Sequence, residues 1–164
     1  MERKDYNLPF MLTYENIAWF YEEGFVKILD RRIYPERVEF VTCSKHEEVA
    51  QAVADMVTQS AGPYTAVGMG MALAAYECRN LDKDAQIEYL KKASYTLSHA
   101  RPTTANRMEK ITNSCLNVAI EALEKGQITY EAIKNDTIAY LNRRYSIMEV
   151  VAIHLASQIK DGDN

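Results

Sequence analysis

Thr65-Ala-Val-Gly-Met-Gly-Met-Ala-Leu-Ala-Ala-Tyr76 is the stretch on which the fold turns. It is apolar throughout, almost free of β-branched residues and built from small side chains. Gly68 and Gly70 each cost a helix about 1 kcal/mol relative to Ala. A helix that carries this cost gains close approach of neighbouring backbones, so the segment is predicted to be a central, buried helix. Pro63 suits its first turn, where a fixed φ and a missing N–H are tolerated. Ser60-Ala-Gly-Pro63 ahead of it is a break.

Outward from this helix the spacing is helical on both sides. Ser44-Lys-His-Glu47 has the form of a capping box, followed by Val49, Ala52, Val53, Met56 and Val57 at helical spacing. Asp82 is placed to cap a helix with Ile87, Leu90, Tyr95 and Leu97 as core positions, ending near His99-Ala-Arg-Pro102. Another starts at Thr103 or Thr104, with Met108, Ile111, Cys115, Ala119 and Leu123 on one stripe and Gly126 at its end. Thr129 is placed to cap the last helix. Its stripe is Leu141, Tyr145, Met148, Ala152, Leu155 and Ile159.

The first forty-odd residues read differently. Ile17–Tyr21, Phe25–Leu29 and Val38–Thr42 are short runs of β-formers with brief connections, Glu22-Glu-Gly24 being a turn signal. Trp19 and Tyr21 share one face of the first run, so that face can pack on something. The predicted class is α+β: a three-stranded antiparallel meander (residues 1–43), then a bundle of about five helices (residues 44–164), together one domain.

Composition narrows function. The chain is 48% hydrophobic and 26% charged, with a net charge of −4, which argues against a nucleic-acid surface. Arg31-Arg32, Lys91-Lys92 and Arg143-Arg144 are scattered pairs that read as solvated faces. No run reaches the length of a transmembrane helix, and the charged start, Met1 to Asp5, is unlike a signal peptide. Three separated cysteines, Cys43, Cys78 and Cys115, suit reduced thiols in a cytoplasmic protein, with Cys115 a small core residue. No Cys/His cluster indicates a metal, and no cofactor is implied. The methionines read as core filler, His46 as exposed, His99 as a loop histidine able to reach a ligand, and His154 as an edge residue.

Two places could bind an anion. In Ser98-His-Ala-Arg-Pro-Thr-Thr-Ala-Asn106, Arg101 directly precedes a helix start, whose first N–H groups lack internal partners. An arginine pairing with a helix carboxylate, and Thr103 acting only as a cap, is the plainer alternative. In Gln59-Ser-Ala-Gly-Pro-Tyr-Thr65, small residues let backbone N–H groups approach a ligand, or simply connect two helices. Gly68-Met-Gly-Met lacks the third glycine and the preceding strand of a dinucleotide loop.

At these loops the sequence resembles the methylthioribose-1-phosphate isomerases and their relatives, ribose-1,5-bisphosphate isomerase and the regulatory alpha, beta and delta subunits of initiation factor 2B. Ala100-Arg-Pro-Thr-Thr-Ala-Asn106 carries the most specific match. Ile17–Trp19 through Arg32 and Pro35, Glu47–Val57, Ala61–Ala75 and Asn142-Arg-Arg144 to Gly162 are collinear with it.

The resemblance implies an aldose–ketose isomerase acting on a sugar 1-phosphate, with Arg101 at the substrate phosphate and the Gln59-Ser60-Ala61 loop, with Thr103, contributing to binding. Ala61 aligns with the alanine of the family's Arg-Gly-Ala loop. The loop's arginine and glycine are here Gln59 and Ser60. The family's catalytic Cys and Asp belong to a Rossmann-like domain expected beyond Asn164, so no catalytic residue is assigned. The implied function is a substrate-capping domain, inactive alone, partnered by a sugar phosphate and by a missing or separate catalytic domain, with a homo-oligomer allowed. The alternative is a non-catalytic interaction module like the initiation-factor subunits.

Overall fold

The computed structural model describes residues 7–162. The readings made on Met1 to Asp5 and on the last two residues lie outside it. A one-turn helix α1 (Tyr14–Ile17) leads into strands β1 (Ala18–Tyr21), β2 (Phe25–Leu29) and β3 (Phe40–Cys43). They form an antiparallel sheet in the order β1-β2-β3, with Phe20 opposite Val26 and Ile28 opposite Val41. Helices α2 (His46–Ala54), α3 (Gly62–Glu77), α4 (Lys83–Ser98), α5 (Ala105–Glu124) and α6 (Thr129–Ala156) follow. The meander and the bundle are those expected. Both faces of β1 pack, Trp19 lying partly buried against the core. Ala18 and Phe20 are the buried residues of β1, while Trp19 and Tyr21 are half-buried. Phe20 packs between the rings of Tyr76 and Tyr130. Trp19 lies beneath the Lys134 ammonium, 5.0 Å from its ring centre.

Helix α3 is the centre of the molecule. Thirteen of its sixteen residues are buried, and its contacts reach the sheet and every helix from α2 to α6. The glycines do what their cost implied. A Cβ on Gly68 would stand 2.6 Å from Thr137 Oγ1 of α6, and one on Gly70 would stand 2.9 Å from Leu97 of α4. Leu73, Met69, Met71, Val49, Leu90, Leu97, Met108, Cys115 and Ile133 fill the shared core.

The helix ends refine the sequence reading. Asp82 caps α4, its Oδ1 accepting from Ala85 N–H at 2.9 Å. The capping box at α2 is displaced. Lys45 is the N-cap, and Glu48, not Glu47, accepts from the Ser44 N–H at 2.6 Å. The cause is across the core: Glu77 takes the His46 N–H at 2.7 Å and fixes the first turn one residue later. His46, read as exposed, is therefore buried. Thr129 opens α6 as its first residue, behind an Ile128 N-cap that makes no side-chain bond.

Tyr95, read as core, is 67% exposed, because α4 turns Gln86, Leu90, Ala93 and Leu97 inward instead. The stripe of α6 is buried only as far as Tyr145; Met148, Leu155 and Ile159 are 48–70% exposed. Twenty-eight residues make a helix about 42 Å long, while the sixteen of α3 reach about 24 Å, so α6 outruns the surface it packs on. Met56 and Met148 are likewise exposed rather than core. Among the described residues no helix is long and apolar enough to cross a membrane.

Candidate anion-binding cavity at the start of α3

Residues 58–62 turn tightly into α3. Ser60 sits in the left-handed region with φ 56°, and Ala61 is the N-cap without a side-chain bond of its own. Gly62 N–H donates to the Gln59 carbonyl at 2.9 Å. Above this turn lies a cavity of about 320 Å³. Ser60, Ala61 and Gly62 form its floor with Thr58 and Thr65. Arg31 and Arg144 enter from the end of β2 and from α6, and Leu12, Ile17, Leu141 and Tyr145 make an apolar wall. Tyr145 is fixed by donating its hydroxyl to the Leu12 carbonyl at 2.6 Å. Tyr14 hydroxyl donates to Asn142 beneath it.

Every polar side chain at this cavity is a donor or can act as one. The Thr58 and Thr65 hydroxyls are buried without a hydrogen-bond partner, which is costly unless something accepts from them. Among the described residues no Asp or Glu lines the cavity. The first-turn N–H groups of α3 are largely used already, Gly62 and Tyr64 donating to the Gln59 and Ala61 carbonyls and Pro63 having none, so the donors on offer are side chains. The arrangement suits an oxyanion.

Arg101 and Thr103 are at a different point. Arg101 is the half-buried residue ahead of a 3-10 turn (Pro102–Thr104) that leads into α5; Thr103 is exposed within it. Neither lines the cavity. Among the described residues the Arg101 guanidinium has no ion-pair partner. Its carbonyl accepts from Thr104 N–H at 3.2 Å. The first turns of α3 and α5 nevertheless meet, with the Arg107 guanidinium 4.8 Å over the Tyr64 ring. Gln59 contributes its backbone, the carbonyl accepting from Arg31 Nη1 at 3.2 Å. His99 turns away from Arg101 to stack on Tyr95 at 4.0 Å. Arg32 and Arg143 are exposed, in keeping with solvated faces, whereas Arg31 and Arg144 are half-buried.

No family model matches the sequence. Over 146 residues it is 29% identical to the methylthioribose-1-phosphate isomerase of Thermotoga petrophila, covering 84% of this chain and 39% of that protein. Delta subunit of translation initiation factor eIF-2B from A. fulgidus superimposes with a TM-score of 0.60 at 27% identity, over 82% of this chain and 37% of that one. The 5-methylthioribose 1-phosphate isomerase of Pyrococcus horikoshii gives 0.56 at 25% identity, over 82% and 39%. Over most of its own length the chain is thus similar to methylthioribose-1-phosphate isomerases and to an initiation factor 2B subunit.

It spans 30–39% of the length of the curated relatives it matches most strongly. Within this isomerase-like frame, the chain's thiols are poorly suited to chemistry. Burial pushes Cys43 and Cys78 up to about 11 and Cys115 up to about 12, so all three stay protonated at neutral pH.

One further cluster is built with care. His46 Nδ1 lies 2.8 Å from Glu77 Oε2 and 3.2 Å from Glu47, and the Tyr89 hydroxyl donates to Glu77 Oε2 at 2.5 Å. These groups could also hold a metal ion. With Glu77 already accepting from His46 twice and from Tyr89, the geometry is that of a clamp between α2, α3 and α4. Sequence reasoning missed Arg31, Arg144, Thr58 and Thr65. Only Asp30-Arg31-Arg32 carried a signal, since one carboxylate cannot neutralise two arginines.

Proposed function

We propose that this chain is the substrate-capping part of an isomerase-like protein acting on a sugar 1-phosphate, and that it lies over a catalytic domain on a separate chain or in a longer protein. The cavity at the start of α3 carries the reading: it joins two unpartnered hydroxyls and two arginines to an apolar wall. A phosphate would sit at the donor end and the sugar against the wall. Arg101, matching the family's phosphate arginine, would close the ligand in from the start of α5 with Thr103. The relatives named as methylthioribose-1-phosphate isomerases supply the candidate substrate.

The chain should bind without turning over. General acid–base catalysis needs a group able to exchange a proton near neutrality, and among the described residues none lines the cavity. Titration calorimetry with methylthioribose 1-phosphate and ribose 1-phosphate tests binding, and an assay for ketose product tests turnover. Binding of neither sugar phosphate defeats the proposal; ketose formation by this chain alone defeats its inactivity.

The apolar end of α6 favours a second reading, that of an interaction module resembling the initiation-factor subunit. Val150, Ile153 and Leu155 are each 60–67% exposed. Absence of sugar-phosphate binding together with concentration-dependent self-association would favour it.

A further inference from the structure

We propose that Arg31 supplies the charge of the anion seat at the start of α3, in place of the uncharged Gln59 on the loop, with Arg144 facing it from α6. This rests on reading the cavity as a phosphate site and names the residues that neutralise the phosphate.

The argument begins at Asp30. Its carboxylate is fully engaged by Arg32, accepting from Nη2 at 2.6 Å, from Nε at 2.9 Å and from the backbone N–H at 3.0 Å. Arg31 is thereby left without a carboxylate among the described residues. Its guanidinium is not loose. The Arg31 N–H donates to the Val57 carbonyl at 2.8 Å, and Nη1 donates to the Gln59 carbonyl at 3.2 Å. The head group is thus pinned to the very loop whose family arginine is missing, while its remaining N–H donors stay free for a ligand.

Arg144 has no carboxylate partner among the described residues either, and both arginines line a cavity where the described residues include no acid. Two like charges on one cavity repel, and an anion between them relieves that repulsion. Thr58 and Thr65, each 1% exposed, add hydroxyls with no other acceptor. A dianionic phosphate monoester satisfies all of these groups at once. A neutral ligand leaves the charge uncompensated.

The test titrates the 164-residue chain with inorganic phosphate and, separately, with methylthioribose 1-phosphate at low salt. Arg31→Gln is expected to weaken phosphate binding about tenfold or more, the scale of one lost charge-assisted hydrogen bond. Arg143→Gln, which removes an exposed arginine that does not line the cavity, is expected to leave it unchanged. The double variant Arg31→Gln/Gln59→Arg, which moves the charge across the Arg31–Gln59 contact, is expected to recover most of it. Circular dichroism establishes that each variant is folded.

Phosphate binding by Arg31→Gln equal to that of the parent overturns the assignment. So does a folded double variant that fails to recover, which also decides the matter if Arg31→Gln alone does not fold. Arg31-dependent binding of inorganic phosphate, without any binding of methylthioribose 1-phosphate, sustains the charge assignment and removes the sugar-phosphate reading. Failure of the parent to bind either probe removes both.

Discussion

Gly68 of α3 faces Thr137 of α6 so closely that an added methyl group would stand 2.6 Å from its Oγ1 and 2.8 Å from its Cγ2. Two helix backbones meet there with only a threonine between them. Gly68→Ala gains about 1 kcal/mol in helix propensity. It should nonetheless destabilise the fold by a net ~1–3 kcal/mol through overpacking, read as a lowered guanidinium midpoint. Thr137→Ala in the same chain should recover part of that loss, because it removes both atoms that crowd position 68 and gives up a hydroxyl that bonds back to Ile133 of its own helix. A Gly68→Ala chain as stable as the parent would remove α3 from the centre of the packing.

Burial alone would raise the Glu77 carboxyl, but hydrogen bonds from the His46 ring and Tyr89 outweigh it and hold Glu77 below the usual carboxylate range. A depressed folded value contributes stability above the unfolded value, near 4.3. That stability is lost as pH falls through the lower folded value. The parent should therefore lose stability below about pH 4.3 more steeply than Glu77→Gln. Above that range Glu77→Gln should be the weaker of the two by about 1–3 kcal/mol, since His46 and Tyr89 lose a charged acceptor. Urea midpoints collected from pH 7 down to about pH 3 give the comparison; parallel profiles would show that Glu77 is not an acid-sensitive clamp.

Cys43, Cys78 and Cys115 are each about 1% exposed, and burial raises all three thiols. The thiolate is the reacting form. Folded protein at pH 8 should take up iodoacetamide far more slowly than the same protein in denaturant, where all three should react. Mass spectrometry of the modified chain reads the difference. Rapid labelling of Cys115 in the folded protein would contradict the core described here.

Leu141 and Leu155 lie on one stripe of α6 but in opposite environments, 1% and 60% exposed. Leu141→Ala should cost about 2–5 kcal/mol, as a cavity in a packed cluster does. Leu155→Gln should change stability by less than about 0.5 kcal/mol. Thermal melts of the two variants separate these outcomes, and equal losses would mean that the far end of α6 is covered in solution.

Much of this was readable from residue patterns because local chemistry and tertiary need agreed. Pro63, Asp82 and Gly126 mark real helix ends, and the glycines of α3 announced a close crossing before its partner was known. The reading failed where distant residues decided. His46 was drawn inward by Glu77, thirty-one positions away, and Tyr95 was left outside while α4 turned Leu90 and Leu97 inward. At the site, the loop 59–61 was found because its small residues are contiguous. Arg31 and Arg144 come from elements more than a hundred positions apart, and no sequence spacing joins them.

The cavity's wall has a temporal side. Leu12 stands in place because Tyr145 holds its carbonyl, so two segments 133 positions apart must meet before the pocket is whole. A nascent chain can collapse around α3 long before that, yet stays unable to receive a ligand. Ligand uptake during refolding should therefore report completion of the fold and lag behind the growth of helix signal.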